Sequence, residues 1–258
     1  MTVLTRIEAG VATLTLNRPR EMNAFDEATA RGIVDALEGF AADEAVRVLV
    51  IAGEGPAFSA GGDFRWVLEW PALDSIQRGD NADAMMGAVQ AVYDFPKPSI
   101  ARVQGTAVGG GVGLMLACDF AVAASTARFG LTSVRNGLLA GIAIPVLIEA
   151  VGPRIARQLL MHGGIFDSAT ALRIGLVDQV VEPDVLDATV ATLARELRLG
   201  APSVQTLAKK LVTRINALPN DSSTASILGG HVANQSVSED AIEGMSAFLD
   251  KRKPRWAV

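Results

Sequence analysis

Two glycine-rich runs hold the residues best suited to chemistry. The first is Phe58-Ser59-Ala60-Gly61-Gly62-Asp63, and the second is Gly105-Thr106-Ala107-Val108-Gly109-Gly110-Gly111-Val112-Gly113. Each closely follows an apolar run of strand type, the first ending at Ala52 and the second at Val103. Glycine removes the Cβ that would keep a ligand atom from the backbone N–H. After Gly109 the chain enters a helical pattern. Its first N–H groups therefore lack intrahelical acceptors, and the positive end of the helix dipole points outward. Such donors suit a negative charge developing on oxygen. Two of them together make an oxyanion hole, each donor worth roughly 10²–10³ in rate. A Gly-Gly-Gly turn alone reads first as a tight connection. A dinucleotide fingerprint competes, but residues 109–113 lack the third glycine at the required offset and the acidic residue about twenty positions on. No Gly-Lys-Ser/Thr follows, which excludes a P-loop.

These runs need elements to hold them. Val11–Leu16 alternates β-type and small residues and stops at Asn17-Arg18-Pro19, predicting a strand ended by a proline turn. Asp26 is a good N-cap for a helix reaching about Phe40, with Ile33, Val34, Leu37 and Phe40 on one face. Residues 46–52 are apolar except for Arg47, as in a strand buried on both faces of a parallel sheet. Ser99–Val103 and Phe120–Ala124 are further strands, and residues 174–177 with Val180 and Val181 give another strand-like return. Strands alternating with helices predict an α/β fold of βαβ units with right-handed crossovers. Both glycine runs then lie at the carboxyl ends of strands, where open α/β folds bind ligands. From Pro183 helical patterns dominate, over residues 185–199, 203–217, 222–235 and 240–250. Residues 64–90 mix Trp66, Trp70 and Pro71 with Gly79 and Asp80 and read as an irregular, mobile stretch.

The composition narrows the partners. The 258 residues are half apolar, with a net charge of −5 and no long basic run, so nucleic acid is excluded as an expected partner. The tail Lys251-Arg252-Lys253-Pro254-Arg255 reads as a solvated end. Cys118 stands alone in an apolar run, which predicts a buried, inert thiol. The start of the chain lacks a basic segment followed by an apolar one, and no apolar run suits a membrane span. A cytoplasmic protein is expected.

Further motifs accompany the glycine runs: Leu16-Asn17-Arg18-Pro19 with Asn23-Ala24, Ala117-Cys118-Asp119, Ala127-Arg128-Phe129-Gly130, Ala171-Leu172-Arg173-Ile174-Gly175-Leu176-Val177 and Glu239-Asp240-Ala241-Ile242-Glu243-Gly244 with Ala247-Phe248 and Lys251-Arg252. In this order, and over nearly the whole chain, they resemble the enoyl-CoA hydratase/isomerase (crotonase) superfamily. The resemblance implies a crotonase-like spiral core over residues 1–198. It implies a helical region over 199–258 that builds homotrimers, often paired into hexamers, and closes over CoA. It implies acyl-CoA substrates and enolate chemistry without a metal or a separate cofactor, coenzyme A arriving as part of the substrate. The N–H groups of Gly62 and Gly110 fall where the family holds the thioester oxygen. Ala60, Gly61, Asp63, Phe64 and Arg65 fall where it contacts CoA, and Phe248 and Lys251 where its C-terminal helix approaches the CoA nucleotide.

The pattern breaks at the two hydratase glutamates, whose positions carry Gly113 and Ser133. Adding water to a conjugated double bond needs a base for the water and an acid for the α-carbon, a contribution of about 10²–10⁴-fold. Hydration or isomerisation is the family default, while decarboxylation, thioester hydrolysis and C–C cleavage stay open. A non-catalytic CoA-binding assembly subunit is the alternative from another class, and a nucleotide-dependent oxidoreductase is a weaker third. Asp119 is expected to be structural, Glu69 and Asp74 solvated, and His162 and His231 uninvolved. Arg135 and Asn136 are candidates to reach the pocket near Ser133, and Phe64, Trp66 and Trp70 are candidates to line an acyl pocket.

Overall fold

In the computed structural model, residues 1–216 and 218–257 are described. The strands, in chain order, are β1 (Val3–Glu8), β2 (Val11–Leu16), β3 (Val48–Gly53), β4 (Ala57–Ser59) and β5 (Ser99–Val103). They continue with β6 (Thr106–Val108), β7 (Phe120–Ala124), β8 (Arg128–Gly130), β9 (Ile165–Asp167) and β10 (Gln179–Val181). The helices are α1 (Glu27–Ala42), α2 (Phe64–Glu69), α3 (Ser75–Tyr93), α4 (Gly110–Leu116) and α5 (Ile144–His162). After them come α6 (Ser168–Arg173), α7 (Leu186–Leu197), α8 (Pro202–Asn216), α9 (Ser222–Ser236) and α10 (Glu239–Leu249).

Two sheets result, a six-stranded one in the order β1-β2-β3-β5-β7-β10 and a four-stranded one in the order β4-β6-β8-β9. All pairings are parallel except β1 with β2 and β8 with β9. The chain winds as a spiral. Each turn lays one strand in the large sheet, a short one in the small sheet, and then a helical segment: β3-β4-α2-α3, β5-β6-α4 and β7-β8-α5. This is the expected α/β spiral, with a second sheet that the sequence did not reveal. Strands of three residues are too short to display a period of two.

Apolar content explains the layering. Every residue of β3 is buried. Leu49 and Ile51 join the main core, while Val48 and Val50 join a second cluster with Leu186, Val190 and Ala194 of α7. A sheet covered on both faces requires such a continuous apolar run. Asp26 caps α1, accepting from Thr29 N–H at 2.8 Å, and Ile33, Leu37 and Phe40 are buried as expected, with Val34 at the edge of the stripe.

Two expectations need correction. Residues 174–177 form no strand: Gly175 N–H donates to Leu172 O and Leu176 N–H to Ala171 O, closing α6 with a Schellman turn. Only Gln179–Val181 pairs with β7. Residues 64–90 are not irregular but largely helical, as α2, a 3-10 turn over Trp70–Ala72, and α3. A capping box between Asp74 and Gln77 starts α3. Its buried residues are Ala88, Val89 and Val92, all near its end, so its first half shows no apolar stripe. In the helix expected over 203–217, Ala217 lies outside the described residues.

Cys118 is buried, and desolvation first, then the nearby Asp119 carboxylate, pushes its thiol up, consistent with an inert group. Asp119 is structural: one carboxylate oxygen accepts from Ser99 N–H, Ser99 Oγ and Lys209 Nζ at 2.8–2.9 Å. Among the described residues no helix is long and apolar enough to cross a membrane. No cluster of three or more His, Cys, Asp or Glu side chains among them could hold a metal.

Candidate functional site

The two glycine runs meet because β4 and β6 are adjacent parallel strands. Ala57 pairs with Thr106 and Ser59 with Ala107, so residues 60–62 and 109–110 leave the sheet side by side. The approach is backbone to backbone. A Cβ on Gly61 would stand 2.5 Å from Gly110 N and 2.9 Å from Val108 O, and Gly61 has φ +81°. Both facts demand glycine.

The motif around Asn17 and Asn23 builds the other wall. Asn23, 1% exposed, donates through Nδ2 to Glu54 O and Ala57 O, and its Oδ1 accepts from Arg18 N–H. Ser59 Oγ donates to Asn23 O and accepts from Gly61 N–H. Ala60 N–H donates to Met22 O. Phe25 then bridges residue 62 in parallel: Phe25 N–H donates to Gly61 O at 2.7 Å, and Asp63 N–H to Phe25 O at 2.8 Å. A parallel bridge uses the groups on either side of its central residue, so the Gly62 N–H faces away from Phe25. It has no acceptor among the described residues. Nor has the Gly110 N–H, which is the first amide of α4. Two adjacent amides are thus left free, one of them at a helix N-terminus, and together they suit an anionic oxygen.

Side chains border this pair unevenly. Met85 of α3 lies over Gly62, its methyl 3.0 Å from where a Cβ would be. Phe25 Cε2 and Ile142 Cγ2 close around Gly110 at 3.3 and 3.5 Å from its notional Cβ. Ser133 Oγ lies 3.4 Å from the notional Cβ of Gly109, and no hydrogen bond among the described residues engages it. The expected places of Ala60, Gly61, Gly62, Gly110 and Ser133 therefore converge.

Other candidates behave differently. Asp63 is 8% exposed and its carboxylate is already engaged: it pairs with Arg18 at 2.8 Å and caps α2 through Arg65 N–H at 2.9 Å. Burial alone would raise its pKa. The hydrogen bonds from Arg18 and Arg65 N–H, with the charges of both arginines, outweigh burial and hold it below the usual carboxylate range. Asp63 positions the loop. Phe64 and Arg65 are exposed beside it on α2. Trp66 is buried edge-on against Trp70, with centroids 5.4 Å apart. Arg135 turns away, its Nε donating to His162 O, and Asn136 Nδ2 donates to Thr132 O within its own turn. Glu69 ends α2, Asp74 caps α3, and His162 is an exposed end of α5. Phe248 is 82% exposed and Lys251 is exposed at the end of α10, so within one chain neither covers the glycines.

Sequence reading missed Met85, Ile142 and Ala143. The signal for Met85 was the capping residue Asp74 with Gln77 three positions into the helix, which predicts a helix reaching the site. Nothing local marks Ile142 or Ala143.

A sequence model of the enoyl-CoA hydratase/isomerase family matches residues 6–258. The chain belongs to this family. It is 36% identical over 253 residues to the crotonyl-CoA hydratase of Syntrophomonas wolfei, covering 96% of this chain and 95% of that one. It is 34% identical over 251 residues to the carnitinyl-CoA dehydratase of Citrobacter koseri, covering 94% and 93%. The crystal structure of an enoyl-CoA hydratase from Shewanella pealeana superposes with a TM-score of 0.95 at 31% identity, covering 99% and 96% of the two chains. The protein is thus an acyl-CoA-processing enzyme of the enoyl-CoA hydratase/isomerase family, with the crotonase fold.

Proposed function

We propose that the protein holds the carbonyl oxygen of an acyl-CoA thioester between the N–H groups of Gly62 and Gly110 and stabilises the enolate formed beside it. The observation that carries this reading is the pair of adjacent amides left free by the Phe25 bridge and the start of α4. As charge moves onto the thioester oxygen, both donors strengthen with no reorganisation. Ala60, Gly61, Phe64 and Arg65 border the CoA path, and Asp63 acts through Arg18. Coenzyme A enters only as part of the substrate, and neither metal nor second cofactor is needed.

Proton transfer departs from the hydratase pattern. Gly113 and Ser133 supply no carboxylate, so water addition lacks both its base and its acid. Decarboxylation of a 2-carboxyacyl thioester fits better. The C–C bond breaks, its electron pair enters the enolate, CO₂ leaves, and water returns one proton to carbon. The observation favouring it is the apolar Met85 and Ile142 beside the donors, with the Ser133 hydroxyl next to Gly109. Thioester hydrolysis and other C–C cleavages use the same hole. Crotonyl-CoA hydration, followed by loss of the conjugated thioester absorbance, should run about 10²–10⁴-fold below a glutamate-bearing relative. A near-normal rate would show that another group replaces the glutamates. CO₂ release from malonyl-CoA tests the alternative. Binding of butyryl-CoA without turnover of any thioester would leave a CoA-binding subunit.

Residues 1–198 form the thioester-binding core in this reading, and 199–258 an assembly region. α10 exposes Ile242, Met245, Phe248 and Leu249 by 54–82%. A trimer, alone or paired into a hexamer, would cover such a face and bring Phe248 and Lys251 to a neighbour's CoA. Light scattering should give a trimer or hexamer mass, and Phe248→Asp should lower it and weaken butyryl-CoA binding. A monomeric wild type would overturn this assignment.

A further inference from the structure

The turn before α5 fills the space behind Gly113. A Cβ on Gly113 would stand 3.2 Å from Ala143 Cα, 3.3 Å from Ala143 Cβ and 3.3 Å from the Ile142 carbonyl oxygen. These atoms are backbone, or one bond from it, and cannot swing aside as the end of a long side chain can. The turn is also held in place. Ala143 N–H donates to Ala140 O at 3.0 Å, and Ile142 and Ala143 are 7% and 0% exposed. Ile142 Cγ2 packs against Gly110 on the same helix, beside the free amide. A side chain at position 113 would start against this wall.

We infer that Ile142 and Ala143 are specificity-determining residues of this site. They wall off position 113 and hold it as glycine, so the carbon beside the thioester meets apolar surface where a carboxylate or a water molecule would stand. This rests on the thioester reading proposed above. The missing carboxylates are then not two independent deletions. The one at 113 is coupled to the size of residue 143, and returning both carboxylates cannot return hydration until residue 143 shrinks.

Hydration is a suitable probe because its steps are separable. One carboxylate takes a proton from water as the water oxygen bonds to the β-carbon, and the other gives a proton to the α-carbon. Gly113→Glu/Ser133→Glu should hydrate crotonyl-CoA no faster than wild type. Adding Ala143→Gly removes one of the three close atoms and frees the backbone carrying the other two to shift by a few tenths of an ångström, and should raise the rate by at least ~10²-fold, the lower end of general acid–base catalysis. Butyryl-CoA, which cannot be hydrated, reports binding for every variant by titration calorimetry. Two results overturn the inference: a double variant as fast as the triple, or a folded triple variant that binds butyryl-CoA but is no faster than the double. Gly113→Ala guards against variants that fail to fold. It should lower Tm in the wild type and lower it less in the Ala143→Gly background, and equal losses in the two backgrounds also overturn the inference. Should wild-type protein fail to bind butyryl-CoA, the thioester reading falls, while the Tm comparison still decides whether the wall exists.

Discussion

Gly61→Ala should lose thioester binding and destabilise the fold by about 3 kcal/mol or more. A left-handed backbone costs an ordinary residue roughly 1–2 kcal/mol. An added methyl group in a packed site costs roughly 1–3 kcal/mol further. Here the methyl group would meet Gly110 N at 2.5 Å and Val108 O at 2.9 Å, both backbone atoms. Relief must come from moving β6 or the start of α4, which displaces the Gly110 donor. Loss of one such donor lowers rate by roughly 10²–10³. Chemical denaturation gives the loss of stability and calorimetry with butyryl-CoA the loss of binding. Gly79→Ala is the control. It lies in α3 with nothing within 4 Å of its notional Cβ and should stabilise by up to about 1 kcal/mol. A Gly61→Ala variant that matched wild type in both stability and binding would mean that the two glycine runs do not touch in this way.

Asp63→Ala should cost about 2–3 kcal/mol at neutral pH. Breaking a buried ion pair costs roughly 3–5 kcal/mol. The value is lowered here because the Arg18 and Asp63 side chains keep 17% and 11% exposure, and because Asp26 remains 3.4 Å from Arg18. The pH dependence has a definite sign. The folded carboxyl of Asp63 titrates below its ordinary value. Its stabilisation is therefore fully present above the unfolded carboxyl pKa, about 3.9. It is lost as pH falls through the lower, folded value. Wild type and Asp63→Ala should converge in stability as pH drops below about 4. Asp63→Asn separates the two roles, since asparagine keeps the N-cap of α2 and loses the charge. Urea denaturation of all three proteins between about pH 7 and pH 3 is the measurement. A gap that stayed constant over that range would remove the ion pair from the account.

Much of the fold was legible where burial imposes a pattern. The two-sided burial of β3 wrote an unbroken apolar run, and Asp26 announced α1 by cap chemistry. The first half of α3 buries nothing, so it carried no stripe, and its capping box was the one local signal that could have announced it. The short strands β4, β6, β8 and β9 are held by neighbours distant in sequence, a relation that leaves no local trace.

For the site, sequence alone supplied the proposed donors and the absence of acidic side chains: Gly62 and Gly110 are legible because they sit in glycine-rich runs that follow strands, and Gly113 and Ser133 because a carboxylate is either there or not. Tertiary structure alone decided what surrounds them. The Asp63 carboxylate pairs with Arg18, Arg135 turns toward His162, and Met85, Ile142 and Ala143 arrive from other elements to border the glycines. The reason is physical. A hydrogen-bond donor is a property of one residue and its immediate neighbours, whereas the room left beside it depends on which distant segments pack there.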